Sequence, residues 1–527
     1  MEETRMVFGI DLGTTYSCVA QVDEFDRPTV QKNFDGNNTT PSVVYFEQKD
    51  KVLVGDVAKE MMKTEPEKTV AFVKREISKD DAYDNPGKFP FGADPTIISS
   101  HILKKIVKDA NDASQNPIPV NKVVITCPAY FGTKERMRTK QAGEIAGLEV
   151  LAVINEPTAA AIAYGMKLDE NKTVLVYDLG GGTFDVTVIR VSDKTITVMA
   201  TDGNHQLGGY DWDKMLADYV LSKFNQEYRT NYTMDSNATL RNTLMLEAEN
   251  KKKQLSQRES VNFIVDFEGK SLKVPISRID FNQLTEVLLD ETIEKTTEVI
   301  AKAKGKGADK IDEILLVGGS SRMPQVKERV DAEFHCDSKL TDPDECVAKG
   351  AAIFALNESF SAAMDEYNDG ERDEKPKNIG QKSQVRVVNV TSKSYGLRCQ
   401  NSEGETIISQ LIFANTSLNN CRGEQKFFTA VDNQKGVYLA VYESDLLDES
   451  IPLQSANLLE EKDFQLNKQV PINTPLDAIF QVDSEGILHV FSRIENDTIE
   501  FEVKLKGVMN SEELSKAKFL ASKTSVE

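Results

Sequence analysis

Two short stretches of this sequence carry the residue types that grip a phosphate chain. Residues 7–15 read Val7-Phe8-Gly9-Ile10-Asp11-Leu12-Gly13-Thr14-Thr15, and residues 174–185 read Val174-Leu175-Val176-Tyr177-Asp178-Leu179-Gly180-Gly181-Gly182-Thr183-Phe184-Asp185. Each is an apolar strand-like run, then Asp-Leu-Gly, then small hydroxyl residues, then a second strand-like run. Glycine lets backbone N–H groups approach phosphate oxygens with no side chain between them. Thr14, Thr15 and Thr183 add hydroxyl donors. Asp11, Asp178 and Asp185 crowd negative charge beside the phosphates, which calls for a bridging cation. Mg²⁺, held largely through water and a few carboxylates, is the natural one. Two facing hairpins of this kind would hold a triphosphate from both sides. A single copy reads equally well as an ordinary tight turn, but the matched repeat argues against that. The GxxxxGK[ST] signature of a P-loop is absent.

A third glycine turn, Gly318-Gly319-Ser320-Ser321-Arg322, follows a strand-like run at 314–317. It would pack closely on a flat ring, and the Arg322 guanidinium can stack on adenine. Glu249, Lys252 and Ser256 fall at i, i+3 and i+7 and share one helix face, suited to ribose and adenine; by itself such a face also reads as merely solvated. Glu156 precedes Pro157 at the entry of an alanine-rich helix, where a carboxylate can hold a metal-bound water or position a nucleophile. Lys74, on spacing alone, reads as a solvated surface lysine.

The elements that must position these residues alternate between strand-like and helix-like stretches up to about residue 360, the pattern of an α/β protein. Strands are expected at 173–177 and 311–317, and amphipathic helices at 99–111 and 281–304. From 364 to 389 the chain is charged and broken by Gly and Pro, which predicts an exposed acidic linker rather than a loop within one domain. After it, short apolar runs at 427–431, 437–442, 478–482 and 487–491 alternate with turn residues and predict a β-sandwich over 390–509. A helix capped by Asn510 or Ser511 opens the last stretch, 510–527.

The 527 residues carry a net charge of −21. That acidity argues against general binding to nucleic-acid phosphates. No apolar run is long enough for a membrane span, and the acidic N-terminus does not resemble a secretion signal. The six cysteines contain no CxxC pair and the four histidines are dispersed, so no metal site of His and Cys is expected, and a cytoplasmic location with reduced thiols is.

Four blocks resemble the DnaK-type heat-shock chaperones, the seventy-kilodalton family: residues 9–19, Ile154-Asn155-Glu156-Pro157-Thr158 and the alanines after it, residues 178–185, and Leu316-Val317-Gly318-Gly319-Ser320-Ser321-Arg322-Met323-Pro324. The likeness is strong over the first 360 residues or so and looser over 385–515. It implies an actin-like, ribonuclease-H-like ATPase domain of two duplicated lobes over 1–363, followed by an all-β substrate-binding sandwich. It also implies ATP hydrolysis with Mg²⁺, and admits K⁺. Asp11, Asp178 and Asp185 would surround hydrated Mg²⁺ and the attacking water. Lys74 would stabilise the γ-phosphoryl transfer, and Glu156 would complete the water network beside Thr183. Thr14, Thr15 and Thr183 would contact the phosphates, Gly181, Gly182, Gly318 and Gly319 would carry backbone contacts, and Gly13, Tyr16, Gly208, Gly209 and Ser320 would complete the nucleotide site. Glu249, Lys252, Ser256, Arg322 and Asp344 would hold the nucleoside. Pro128 and Arg136 match the family's relay to the second domain, and Ala430, Val437 and Leu439 would line a cleft for extended client peptides.

The departures concern partners more than chemistry. The family's leucine-rich linker reads Gln384-Val385-Arg386-Val387-Val388-Asn389, and Ala152 stands where the family often has Arg. Both changes argue against ordinary docking of a J-domain co-chaperone, while a nucleotide-exchange factor stays compatible. The usual Gly-Gly-Glu-Asp is Gly208-Gly209-Tyr210-Asp211, the first cleft loop at 400–408 is long and acidic, and only the start of a helical lid fits after 510. The expected function is an ATP-switched chaperone for apolar segments of unfolded proteins. A nucleotide-dependent adaptor for one dedicated partner is the alternative, and a sugar-kinase-like phosphotransferase on the same scaffold is a third reading.

Overall fold

The computed structural model describes residues 3–113, 119–165, 171–192, 195–372, 374–376, 386–418, 421–483, 486–495, 497–502, 505 and 507–527. Its first two-thirds hold two mixed sheets with the same wiring. In one, β1 (Val7–Asp11), β2 (Tyr16–Val22), β3 (Pro28–Val30), β4 (Lys122–Cys127) and β5 (Glu149–Asn155) lie in the order β3-β2-β1-β4-β5. In the other, β6 (Lys172–Leu179), β7 (Phe184–Ser192), β8 (Thr195–Asn204), β9 (Glu313–Val317) and β10 (Lys339–Leu340) repeat it as β8-β7-β6-β9-β10. In each sheet the first strand runs antiparallel to the second and parallel to the fourth. The repeated Asp-Leu-Gly segments therefore occupy equivalent hairpins, β1–β2 and β6–β7.

The two lobes meet through small residues. A Cβ on Gly9 would come within 1.9 Å of the Ala352 nitrogen, and one on Gly350 within 1.7 Å of the Ala159 carbonyl oxygen. The helices Glu156–Gly165 and Cys346–Asn368 thus lie backbone to backbone between the sheets. Alanines 159–161, 348, 351, 352 and 355 fill the core they share with Val174, Val176 and Leu315. The alanine-rich sequence after Pro157 is a requirement of this close approach. Among the described residues no helix is long and apolar enough to cross a membrane.

The expected linker from 364 to 389 is ordered at both ends. The last helix of the lobes runs on to Asn368. Strand β11 (Arg386–Val388) adds in parallel to the edge of β8, pairing Ile196 with Val387. Residues 377–385, which hold Gln384 and Val385 of the departed linker motif, lie outside the described residues.

The sandwich has a five-stranded sheet of Ser450–Pro452, Thr406–Ile412, Ser394–Gln400, Gln434–Ser444 and Asn457–Val470, in that order. A four-stranded sheet of Arg422–Phe428, Pro475–Val482, Leu488–Ile494 and Asp497–Glu502 faces it. Period-two alternation sends Leu476, Ala478, Phe480 and Val482 inward against Leu397, Val437, Leu439 and Val441. The sandwich docks on the first lobe. Thr133 shares a hydrogen bond with Tyr395 (3.1 Å) and donates to the Gly486 carbonyl (2.8 Å), and Ser392 donates to the Phe131 carbonyl (2.8 Å).

The helix expected after 510 spans Ser511–Lys523, with Asn510 and Glu513 forming a capping box. Its packing surface is the first lobe: Ala517 and Ala521 rest on Ile145 of helix Thr133–Ile145.

Candidate functional site

A cleft of about 690 Å³ opens between the lobes, and both Asp-Leu-Gly hairpins reach into it. The hairpins meet tip to tip. A Cβ on Gly181 would sit 1.9 Å from Thr15 Oγ1, and one on Gly182 would sit 2.3 Å from Thr14 Cγ2. Glycine is required at both points because the threonines fill the space. Gly208 and Gly209 support the second hairpin from behind: Gly209 N donates to Gly180 O (3.0 Å) and Tyr210 N to Gly181 O (2.7 Å). Gly318 turns with φ +80°, and a Cβ there would lie 2.4 Å from Asp178 Oδ1.

Asp11, Gly13, Thr14, Thr15, Tyr16, Lys74, Glu156, Asp178, Gly181, Thr183, Glu249, Lys252, Ser256, Gly318, Gly319, Ser320, Arg322 and Asp344 all line the cleft. Gly182, Gly208, Gly209 and Asp185 do not. The three glycines form the layer behind the wall. Asp185 is buried, with its Oδ1 accepting the Ala129 amide at 2.8 Å.

Lys74 is not the solvated lysine its spacing suggests. It is 4% exposed, on a 3-10 turn (Val73–Arg75), and it pairs with Glu156. Burial works against its charge, but Glu156 and then Asp11 outweigh it and hold the ammonium above its usual range. Around that cation the acids are in excess. Burial, then Glu156, push Asp11 up to about 7. Burial, Glu156, Asp185 and Asp11 push Asp178 well above the usual carboxylate range. Asp185 is raised in the same way, with the Ala129 and Tyr130 amides opposing. Such a set ionises fully only with more positive charge beside it.

Among the described residues no three His, Cys, Asp or Glu side chains are grouped to hold a metal ion directly. The excess of buried carboxylate, and the buried Thr15 Oγ1 with no protein partner, fit a hydrated cation bound together with phosphates.

At the cleft mouth, Glu249 joins the lobes. It accepts from Lys59 (2.7 Å), Lys253 (2.6 Å) and Tyr16 (3.0 Å). Burial opposes its charge, but the two lysines prevail and take its pKa down to about 2. Lys252 is tied to Asp213 (2.7 Å) and the Gly209 carbonyl (2.8 Å). Arg322 pairs with Asp344 at 2.6 Å. Sequence reasoning missed Lys59, Lys253 and Asp213. Lys253 had a signal, its i+4 spacing from Glu249; Lys59 comes from the other lobe and had none.

Tyr210, the departure from Gly-Gly-Glu-Asp, has a defined place. Phe72, in a left-handed conformation at φ +59°, meets its ring edge-on with centroids 4.6 Å apart. The Arg75 guanidinium lies 4.9 Å from the same ring and donates to the Gly182 carbonyl at 2.7 Å. Both neighbours flank Lys74, so Tyr210 joins the Lys74 turn of one lobe to the glycine hairpin of the other.

Arg136 lies between the cleft and the sandwich. It bonds to Asn155, the residue before Glu156, and to the Phe131 carbonyl (3.1 Å). A Cβ on Gly486 of the sandwich would be 3.4 Å from its Cδ. Pro128 precedes Ala129, whose amide holds Asp185.

The proposed peptide-lining trio is not assembled. Val437 and Leu439 share one face of strand Gln434–Ser444, and that face is the packed core of the sandwich. Ala430 is exposed in the loop beside it. Exposed apolar side chains near Ala430 are Phe428 (61%), Val431 (56%) and Ile472 (45%). The Thr429–Thr474 and Asn473–Thr429 backbone bonds bring their loops together.

The profile of the family described as Hsp70 protein matches residues 7–91 and 87–524.

Proposed function

From the premise that the chain belongs to the Hsp70 family, whose members are ATPases and ATP-dependent chaperones, we propose that it hydrolyses ATP in the interlobe cleft and uses the nucleotide state to control binding of extended apolar peptide segments. The observation that carries this reading is the pair of interlocked glycine hairpins around a buried lysine and an excess of carboxylates. Backbone amides and Thr14, Thr15 and Thr183 hold the phosphates. Asp11 and Asp178, with Asp185 buried behind them, would hold a hydrated Mg²⁺, which would supply neutralisation of phosphate charge. Lys74 sets a fixed positive charge where charge shifts in the transfer, and Glu156 holds Lys74 and accepts from the attacking water. Phosphoryl transfer needs little beyond such positioning and electrostatics. Glu249, Lys252, Ser256 and Arg322 hold the nucleoside side of the cleft.

Arg136, joined to Asn155 next to Glu156 and lying against Gly486, carries the nucleotide state to the sandwich. The client enters near Ala430, Phe428, Val431 and Ile472, while Val437 and Leu439 stay within the core of the sandwich. An extended segment would add main-chain hydrogen bonds and fill an apolar pocket. The same reading places the chain in the cytoplasm, with a nucleotide-exchange factor as a compatible partner. The closed face at Val437 and Leu439 favours a second reading, an adaptor for one dedicated partner. A panel of fluorescent apolar peptides, titrated by anisotropy in ATP and in ADP, separates the two. Binding to many extended apolar peptides, tighter in ADP, supports the chaperone. Binding to none of them supports the adaptor.

A further inference from the structure

After the sandwich, the chain returns to the first lobe and stays on it to the last residue described. Gly507 turns with φ +70°, and a Cβ there would be 2.5 Å from Arg138 Nη2 and 2.9 Å from the Tyr83 ring. Arg138 is fully buried and stacked 3.8 Å over Tyr83, so the turn at Gly507 sits on a buried platform of the first lobe. Gln141 then grips the backbone of Met509 from both sides, donating to its carbonyl (2.6 Å) and accepting its amide (2.9 Å). The helix Ser511–Lys523 follows, packed on Ile145. Lys104 donates to the carbonyls of Ala521 and Thr524, both at 2.8 Å, and so satisfies the end of that helix. Finally, strand Ser525–Val526 adds in parallel to the edge strand Lys51–Val54. Ser525 N bonds to Asp50 O (2.8 Å), Glu527 N to Val52 O (3.0 Å), and Val54 N to Glu527 O (2.8 Å). Val526 is buried in the first lobe's own core, among Phe46, Val52 and Ile106.

We propose that residues 507–527 form a strap that keeps the sandwich docked on the first lobe, so that the two domains separate only when the strap peels off as well as when the nucleotide changes. The sandwich is held at both ends: β11 enters it from the second lobe's sheet, and the strap leaves it for the first lobe's. Strand addition, a capped helix and a buried valine are cooperative contacts, and they involve no residue of the nucleotide cleft. The strap deepens the functional reading above by naming a control on its docking step, but its test needs no nucleotide.

Hydrogen exchange, followed with X-ray scattering on the full chain without nucleotide, reads the strap directly. The Val54 amide reports the tail, since its acceptor is Glu527 O. Thr195–Thr197, paired with β11, report the docked linker. In the Ser525→Pro, Lys104→Glu double variant, the Val54 amide should exchange at least about tenfold faster, with residues 195–197 and the radius of gyration rising together. Lys104→Met alone should move all three in the same direction by less, and it serves if the double variant fails to fold. Unchanged exchange at Val54 in the folded variant would overturn the strap. So would faster exchange at Val54 with residues 195–197 and the radius of gyration unaltered, because the tail would then be anchored without holding the sandwich. A chain that hydrolyses no ATP but passes this test would overturn the function and leave the strap intact.

Discussion

Tyr210 stands where a glutamate is usual in the resembling family, and its surroundings give it a positioning task. Its ring is wedged between Phe72, just before the Lys74 turn, and the guanidinium of Arg75, the last residue of that turn. Aromatic and cation–π contacts of this kind are worth about 0.5–1.5 kcal/mol each. Tyr210→Ala should therefore lower kcat about tenfold while the KM for ATP changes little, and Tyr210→Phe, which keeps the ring, should restore most of the rate. A KM that rises with kcat unchanged would show that the ring serves nucleotide binding instead. Lys74 and Tyr210 also mark how far a sequence can be read at this scale. The two Asp-Leu-Gly hairpins were legible because a phosphate loop is local: its glycines, hydroxyls and carboxylate stand side by side in the chain. The burial of Lys74 was not, because it depends on Glu156 and Asp11 arriving from other strands. Lys59 was invisible for the same reason, since its partner Glu249 belongs to the opposite lobe.

At the scale of elements, the close approach of Glu156–Gly165 and Cys346–Asn368 sets the spacing of the lobes. Gly350→Ala would drive a methyl to 1.7 Å from the Ala159 carbonyl oxygen. Overpacking of this severity should cost about 1–3 kcal/mol or more, seen as a lower urea midpoint with an unchanged slope. A midpoint equal to that of the parent would mean that the helices part freely. The joint between helix Thr133–Ile145 and the sandwich carries a second testable element. Buried Glu443 has an unpartnered Oε2, which faces Glu135 across Gly132. Burial, then Glu135, push its pKa from 4.5 up to about 7, with Lys393 and Lys134 opposing and Asp445 adding to the rise. The docked form therefore binds a proton that the separated form has released. Docking stability is fully present below the ordinary carboxylate value and is lost as pH rises through about 7. Scattering should show a more compact chain at pH 6 than at pH 8, and Glu443→Gln should flatten that dependence. A pH response that survives the substitution would place its origin elsewhere. The period-two runs announced the sandwich and Asn510 announced its helix cap, but strand β11 escaped the sequence reading. Three residues in a charged stretch become a strand only because the β8 edge is there to receive them.

Across the whole molecule, the proposed function would make the cleft, Arg136 and the docked sandwich one path from nucleotide to peptide. Val437 and Leu439 are closed off because their face is the core between the two sheets of the sandwich. On the same proposal, release of the strap would free the sandwich from the lobe that helps to form the nucleotide cleft. No single segment of the sequence could reveal that arrangement, because it joins residues 50–54, 133–145, 386–395 and 507–527. The central claim is that the cleft hydrolyses ATP through Lys74 and that the sandwich senses it. Steady-state ATP hydrolysis, with and without a panel of apolar peptides, tests this most directly, with Lys74→Ala alongside. Hydrolysis should rise with peptide and fall about a hundredfold or more in the variant, which should still bind nucleotide. Hydrolysis that is equal in the parent and the variant would contradict the claim.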